Sequence, residues 1–244
     1  MKNLLFVLLL MSTFTVFSQY KTVPVLRIHK SDKSISSIPL KEIDSLVYVN
    51  LIVLDSSDKD IAIGTQIWTS KNLDVSTYRN GESIRHARTP EEWQDASSKG
   101  EGAWCYYNND PKNGEIYGKL YNWYAVKDSR VLAPSGYHIP SDLEWSLLTE
   151  YLGGEEIAGF KMKSTSGWAN GGNGDNSSLF NGLPGGCYDR AGNFFVMTEN
   201  GYWWSSSEYS TGYAWHRGLY YNNSMVYRLD DTKKYGFSVR CLRD

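Results

Sequence analysis

A chain of 244 residues that is 41% hydrophobic and 21% charged carries enough apolar material for one ordinary domain plus a small appendage, which excludes a disordered chain. Its formal net charge of -2 leaves no electrostatic footprint for nucleic acid or anionic lipid, so neither is expected as a partner. Beyond the first residues no apolar run reaches the roughly 18 or more residues that cross a bilayer, and no membrane span is expected.

The chain opens MKNLLFVLLLMSTFTVFSQ, with Lys2 as a charged start, an apolar run from Leu4 to Val16, and the small Ser18 before a cut at Gln19. This pattern predicts a signal peptide over residues 1–18 and an exported protein, whether periplasmic, cell-surface or extracellular. Loss of the leader takes Lys2 with it and leaves a charge of -3. Residues 19–54 read as a short β-rich lead-in: a strand, a polar turn around Ser31 to Lys33, and a second β-rich run ending at Asn50. DSSDKD, residues 55–60, reads as a linker, and the main domain is expected over residues 61–244.

The main domain begins IGTQIWTSKNLDV, whose alternation of apolar and polar residues suggests a strand pair. In TPEEWQDASSKG, Thr89 fits an N-cap, Pro90 the first helical position and Glu92 the reciprocal box partner, which predicts a short helix. GKLYNWYAVKD also reads as helical, with Leu120, Trp123 or Tyr124, and Val126 on one side. A third helix is expected in SDLEWSLLTEYLGG, capped by Ser141 and Glu144, stopped at Gly153, and apolar at Leu143, Leu147, Leu148 and Tyr151. From Gly159 the chain turns glycine- and asparagine-rich and reads as loops. Four strands are then expected, at Tyr202 to Ser207, Tyr213 to Tyr221, Met225 to Leu229 and Phe237 to Leu242. Helices early and a sheet late make an α+β pattern.

The blocks GTQIWTSKNLDV, YRNGESI, YGKLYNWYAV, GYHIPSDLEW, LPGG, GYWWSSSEY and GFSVRCLRD, in that order, resemble the Fibrobacter succinogenes major paralogous domain, which occurs in secreted proteins of that organism and of Bacteroidota. The resemblance implies a C-type lectin-like fold and a binding or surface-attachment role, with a glycan or an envelope protein as partner. A more distant similarity is to formylglycine-generating enzymes, carried by Ile139 to Trp145 and by Arg240 and Cys241. Those enzymes work through two closely spaced cysteines near the C-terminus, whereas here Cys241 stands alone there. An enzymatic role is therefore the alternative reading, and a structural part of an envelope or fibre is another.

Strand alternation places Tyr202, Trp204 and Ser206 on one face and Trp203, Ser205 and Ser207 on the other, so one indole points to each side. In the next strand Tyr213, Trp215, Arg217, Leu219 and Tyr221 share one face, and Ala214, His216, Gly218 and Tyr220 the other. Such ladders stabilise antiparallel pairs whatever the function, but an exposed ring can also stack on a sugar while Arg and Asn side chains fix its hydroxyls. The candidate ligand-binding residues are Trp215, His216, Arg217, Tyr220, Tyr221, Asn222 and Asn223. In NGGNGDN, Asp175 is a candidate calcium ligand, because C-type lectin-like relatives bind that ion; the bland alternative is an Asx turn. Neither the EPN nor the QPD triplet of such sites occurs, and no other cofactor is implied.

No GxSxG elbow surrounds any serine, and Asp142 and Glu144 read as helix-start residues rather than a catalytic pair. His29, His86, His138 and His216 are dispersed, and His138 reads as a packed or capping residue. Three cysteines in an exported chain suggest one disulfide. The family resemblance implies Cys105 with Cys241, and Cys187 with Cys241 is the rival pairing.

Overall fold

The computed structural model describes Val25–His29, Ile35–Pro39 and residues 60–244. The chain divides into two units, Met1–Ser57 and Asp58–Asp244. In the first, β1 (Val25–His29) and β2 (Ile35–Pro39) pair antiparallel, with Val25 opposite Pro39 and His29 opposite Ile35. The expected signal peptide, the rest of the lead-in and the linker before Asp60 lie outside the described residues.

The second unit is a mixed α+β structure of short helices and mainly antiparallel sheets. β3 (Asp60–Ile63) and β4 (Gln66–Thr69) form the expected strand pair. They continue through β14 (Leu242–Arg243) to β8 (Tyr137–His138), so the two ends of the unit meet in one four-stranded sheet. A second sheet joins β5 (Arg85–His86), β6 (Ala103–Cys105) and β7 (Leu120–Tyr121), and β9 (Cys187–Tyr188) pairs with β10 (Phe194–Phe195). The longest strands, β11 (Asn200–Ser210), β12 (Tyr213–Tyr220) and β13 (Val226–Thr232), form an antiparallel sheet in sequence order. Of the four strands expected at the end of the chain, the last is mostly not a strand: Phe237 and Ser238 make single bridges, and only Leu242–Arg243 is regular.

Helix starts follow the capping chemistry. Thr89 Oγ1 accepts from Glu92 N at 3.2 Å to begin α1 (Pro90–Lys99), although Glu92 returns its carboxylate to Arg88 N rather than to the cap itself. Ser141 and Glu144 form the full reciprocal box at the start of α4 (Asp142–Tyr151). The expected helix through GKLYNWYAVKD is cut short. Its start is strand β7, and Asn122 then caps a single turn, α3 (Trp123–Val126), by accepting from Ala125 N and from Ala103 N. Two further helices, α2 (Pro111–Tyr117) and α5 (Glu155–Met162), fall where no helix was expected, and the second half of α5 lies in the stretch from Gly159 that reads as loops.

The buried stripe of α4 also differs from expectation. Trp145, Leu148 and Thr149 face the core, while Leu143 and Tyr151 are 68% and 66% exposed. Trp145 decides the phase, because residues at i, i+3 and i+4 share a helix face, and the largest side chain gains most from burial.

Trp203 and Trp204 are both fully buried, in two separate apolar clusters. Trp204 packs with Tyr121, Trp123, Phe237 and Val239, and Trp203 with Trp68, Trp145, Phe180 and Leu219. Both indole N–H groups are satisfied, Trp203 Nε1 by Asn72 Oδ1 at 2.8 Å and Trp204 Nε1 by the Tyr121 carbonyl at 2.9 Å. A third cluster collects Trp93, Cys105, Tyr107 and Tyr188 around α1.

α5 crosses β13 closely enough that a Cβ on Gly159 would lie 2.2 Å from the Met225 carbonyl oxygen. An alanine in a helix interior ordinarily stabilises by about 1 kcal/mol over glycine. Gly159→Ala should instead destabilise by about 1–3 kcal/mol, the usual cost of overpacking; a urea midpoint that stays or rises would show that α5 can move away.

Candidate functional site

β12 presents a different chemistry to each side. On the face of Trp203, the Arg217 side chain is 2% exposed and donates from Nη1 to Asp142 Oδ1 at 2.8 Å and from Nη2 to the Asp142 carbonyl and Ser146 Oγ at 3.0 Å. Arg228 on β13 donates to Asp142 Oδ2 at 2.7 Å, and its guanidinium lies 3.6 Å from the Trp215 ring centroid. Asp142 N donates to Ser207 Oγ on β11. One residue at the start of α4 thus ties that helix to all three strands, by its carboxylate to β12 and β13 and by its backbone N–H to β11. Burial raises the Asp142 carboxyl, but hydrogen bonds from Arg228 and Arg217 and their charges outweigh it and hold the group below its ordinary value.

The other face opens on a cavity of about 490 Å³. Tyr202 on β11, His216 and Tyr220 on β12, and Leu229 and Asp231 on β13 line one side of it. Cys187, Asp189, Phe195 and Val196 come from the β9–β10 region, and Tyr235 and Phe237 from the segment after β13. Gly218 sits opposite both Tyr202 and Tyr227 and brings no side chain, so the rings of Tyr220 and Tyr202 close over it, 3.2 and 3.5 Å from where a Cβ would stand. Tyr202 stacks on Phe237 with centroids 5.0 Å apart, and Tyr220 on Tyr227 at 4.4 Å.

His216 is 2% exposed, packed between Phe237, Tyr202 and Trp204, and its Nδ1 is buried without a hydrogen-bond partner. Burial, helped by the Arg217 charge, pushes its imidazole down to about 3, so the ring is neutral at physiological pH. Burial and the neighbouring Asp230 charge raise the Asp231 carboxyl, against the Thr232 amide and the Arg190 charge. Asp189 is engaged in its own turn, with Oδ1 accepting from Ala191 N and Asn193 N.

The seven residues expected to bind ligand therefore separate. His216 and Tyr220 line the cavity. Arg217 does not reach it, being consumed by Asp142, and Trp215 is covered by Arg228 and met edge-on by Tyr209 at 4.8 Å, so neither is an open sugar platform. Tyr221 packs against the Trp203 cluster, and its backbone closes tightly on Gly172. Asn222 and Asn223 build the turn into β13: Asn223 Oδ1 accepts from Met225 N, and its amide donates to Asn222 Oδ1 and Tyr227 Oη.

Asp175 forms the Asx turn, its Oδ1 accepting from Ser177 N at 2.9 Å. Among the described residues no group of three His, Cys, Asp or Glu side chains is arranged to hold a metal ion. The Cys105–Cys241 disulfide is not formed. All three thiols are free and buried, and Cys105 belongs to the cluster around α1 while Cys241 packs with Trp204. Cys187 and Cys241 share that Trp204 cluster, and burial pushes each up to about 12, so both hold their protons at neutral pH. His138 bridges Asp244 and Glu144 at 2.9 Å each. Burial would lower its imidazole, but those two carboxylates raise it above its ordinary value.

With this arrangement in view, the family can be stated. A family model described as the Fibrobacter succinogenes major domain matches residues 61–243. The chain belongs to that family. Neither the curated proteins nor the solved structures contain a match to it. No helix among the described residues is long and apolar enough to cross a membrane.

Several cavity residues of this Fibrobacter succinogenes major domain escape a strand-by-strand reading. Asp189 and Phe195 come from the β9–β10 hairpin and Tyr235 from the segment after β13, and no local spacing announces them. Asp230 and Asp231 do carry a signal, since two adjacent carboxylates in a strand must put one on each side.

The Asp142 staple yields a direct test. Asp142→Asn leaves the Arg217 charge buried without its counter-charge and should destabilise by about 3–5 kcal/mol at neutral pH. Because the folded carboxyl lies below its unfolded value, this contribution is fully present above about pH 4 and fades as pH falls through the folded value. Urea melts of both proteins should therefore converge in acid; a gap that widens there would contradict the pairing.

Proposed function

We propose that the domain is an exported binding module of C-type lectin-like arrangement, and that it holds carbohydrate in the cavity beside β12. The observation that carries the reading is the buried His216, whose Nδ1 has no hydrogen-bond partner among the described residues and whose ring lines a cavity walled by aromatic rings and carboxylates. A buried polar atom without a partner costs about 1–3 kcal/mol, and it is explained when a ligand supplies the missing bond. Ring faces stack on the apolar side of a sugar, while carboxylates and phenols take its hydroxyls, the division of labour usual in ligand pockets. Burial raises the thiols of Cys187 and Cys241, which disfavours the thiolate that a nucleophilic role would need.

His216→Phe separates a ligand-binding role from a structural one. Removing a polar group that has no partner should leave Tm unchanged or raise it, yet abolish retention on a glycan array run with and without calcium. Trp215→Ala, on the opposite face, should bind as the parent does. A His216→Phe protein that melts lower, or that binds as well as the parent, would sink the assignment to this cavity.

A further inference from the structure

The cavity wall has an uneven supply of hydrogen-bonding groups. Asp189, Asp230 and Asp231 line it, and no lysine or arginine does. Asp189 is already held by its turn, but Asp231 accepts with Oδ1 alone, from the Thr232 amide at 2.7 Å, whereas the Asp230 side chain, opposite Trp215, points to the other face of the sheet. The Arg190 charge acts on Asp231 to lower its carboxyl, but the two form no ion pair among the described residues. His216 adds no charge, because its ring is neutral.

Ionised carboxylates accept hydrogen bonds and cannot donate them, whereas an ammonium group donates three and accepts none. The π faces of Phe195, Tyr202, Tyr220 and Tyr235 have the same preference, since the ring quadrupole attracts a cation. A bare metal ion is served less well, because no three ligating side chains converge among the described residues. An acidic sugar meets like charge.

We infer that the group recognised here is an ammonium carried on a sugar, so that the ligand is an amino sugar whose amine is free rather than acetylated. The inference rests on the carbohydrate reading above and narrows it. Asp231 takes the ammonium, the tyrosine rings flank it, and the neutral His216 ring meets a hydroxyl of the same residue.

The test is isothermal titration of the whole chain with three oligosaccharides of equal length, built from glucosamine, N-acetylglucosamine and glucose, and with a lysine-rich peptide. The glucosamine oligomer should bind about tenfold or more tightly than the other two, the scale set by one desolvated cation–π contact or ion pair. Its affinity should fall with added salt and drop by about tenfold in Asp231→Asn, the loss expected when one charge-assisted contact goes. Phe195→Ala, at an exposed ring of the cavity wall, keeps the test informative should Asp231→Asn fail to fold, and should also weaken binding. Equal affinity for the glucose oligomer overturns the ammonium preference and leaves the carbohydrate reading standing. Binding of the peptide alone, or of no oligosaccharide, overturns both.

Discussion

Two tryptophans on consecutive residues of one strand constrain the whole unit. Successive side chains of a strand point to opposite faces, so burying both Trp203 and Trp204 requires that β11 be covered twice. Helices α4 and α5, with Trp68 and Phe180, supply one cover; Trp123, Phe237 and the segments around them supply the other. Each indole also needs an acceptor in a dry interior. Asn72 provides one and simultaneously takes Arg240, whose guanidinium is fully buried against Phe180 and donates to the Thr69 and Phe180 carbonyls. Desolvation pulls that guanidinium down to about 9, which still leaves it charged at neutral pH. The end of the chain is thereby tied to the strand pair that opens the unit.

The same alternation assigns separate tasks to β12. Its odd-numbered residues serve the joint with α4: Arg217 is locked by Asp142, and Trp215 lies under Arg228, which grips the same carboxylate. Its even-numbered residues His216 and Tyr220 line the cavity, with Gly218 between them under the rings of Tyr202 and Tyr220. A rigid ion-pair network on one face holds the strand still while the other remains open to a ligand. Rigid scaffolds are what pre-organised sites need, since every side chain ordered in advance is one that binding does not have to order.

Features set by local chemistry were legible in the sequence, and features set by distant packing were not. Thr89, Ser141 and Glu144 announce their helices because a cap is made with residues two to four positions away. The face pattern of β12 is legible for a similar reason, as period two is a property of the strand alone. By contrast, α5 hides in a glycine-bearing stretch because Gly159 answers to the Met225 carbonyl far along the chain. The face of α4 was misread because Leu143, Leu147 and Tyr151 are apolar by type, whereas Trp145 sets the buried phase. Among the expected binding residues, Trp215 and Arg217 have the right chemistry for sugar, but each is taken by a partner from another element, and residue type carries no record of that.

His86 and His216 show why an unpartnered atom must be judged with its surroundings. Nε2 of His86 is also buried without a hydrogen bond. Yet that ring stacks on Trp104 at 3.8 Å, and its Nδ1 accepts from Arg88 at 3.2 Å, so stacking and one good bond offset the loss. His216 receives no such bond from the described residues, and its neighbours are the edges and tilted faces of Tyr202, Trp204 and Phe237. A phenylalanine would fill the same space without a polar atom to desolvate. On the binding role proposed above, the adjoining cavity is where a ligand hydroxyl would meet the His216 ring and be fixed by it.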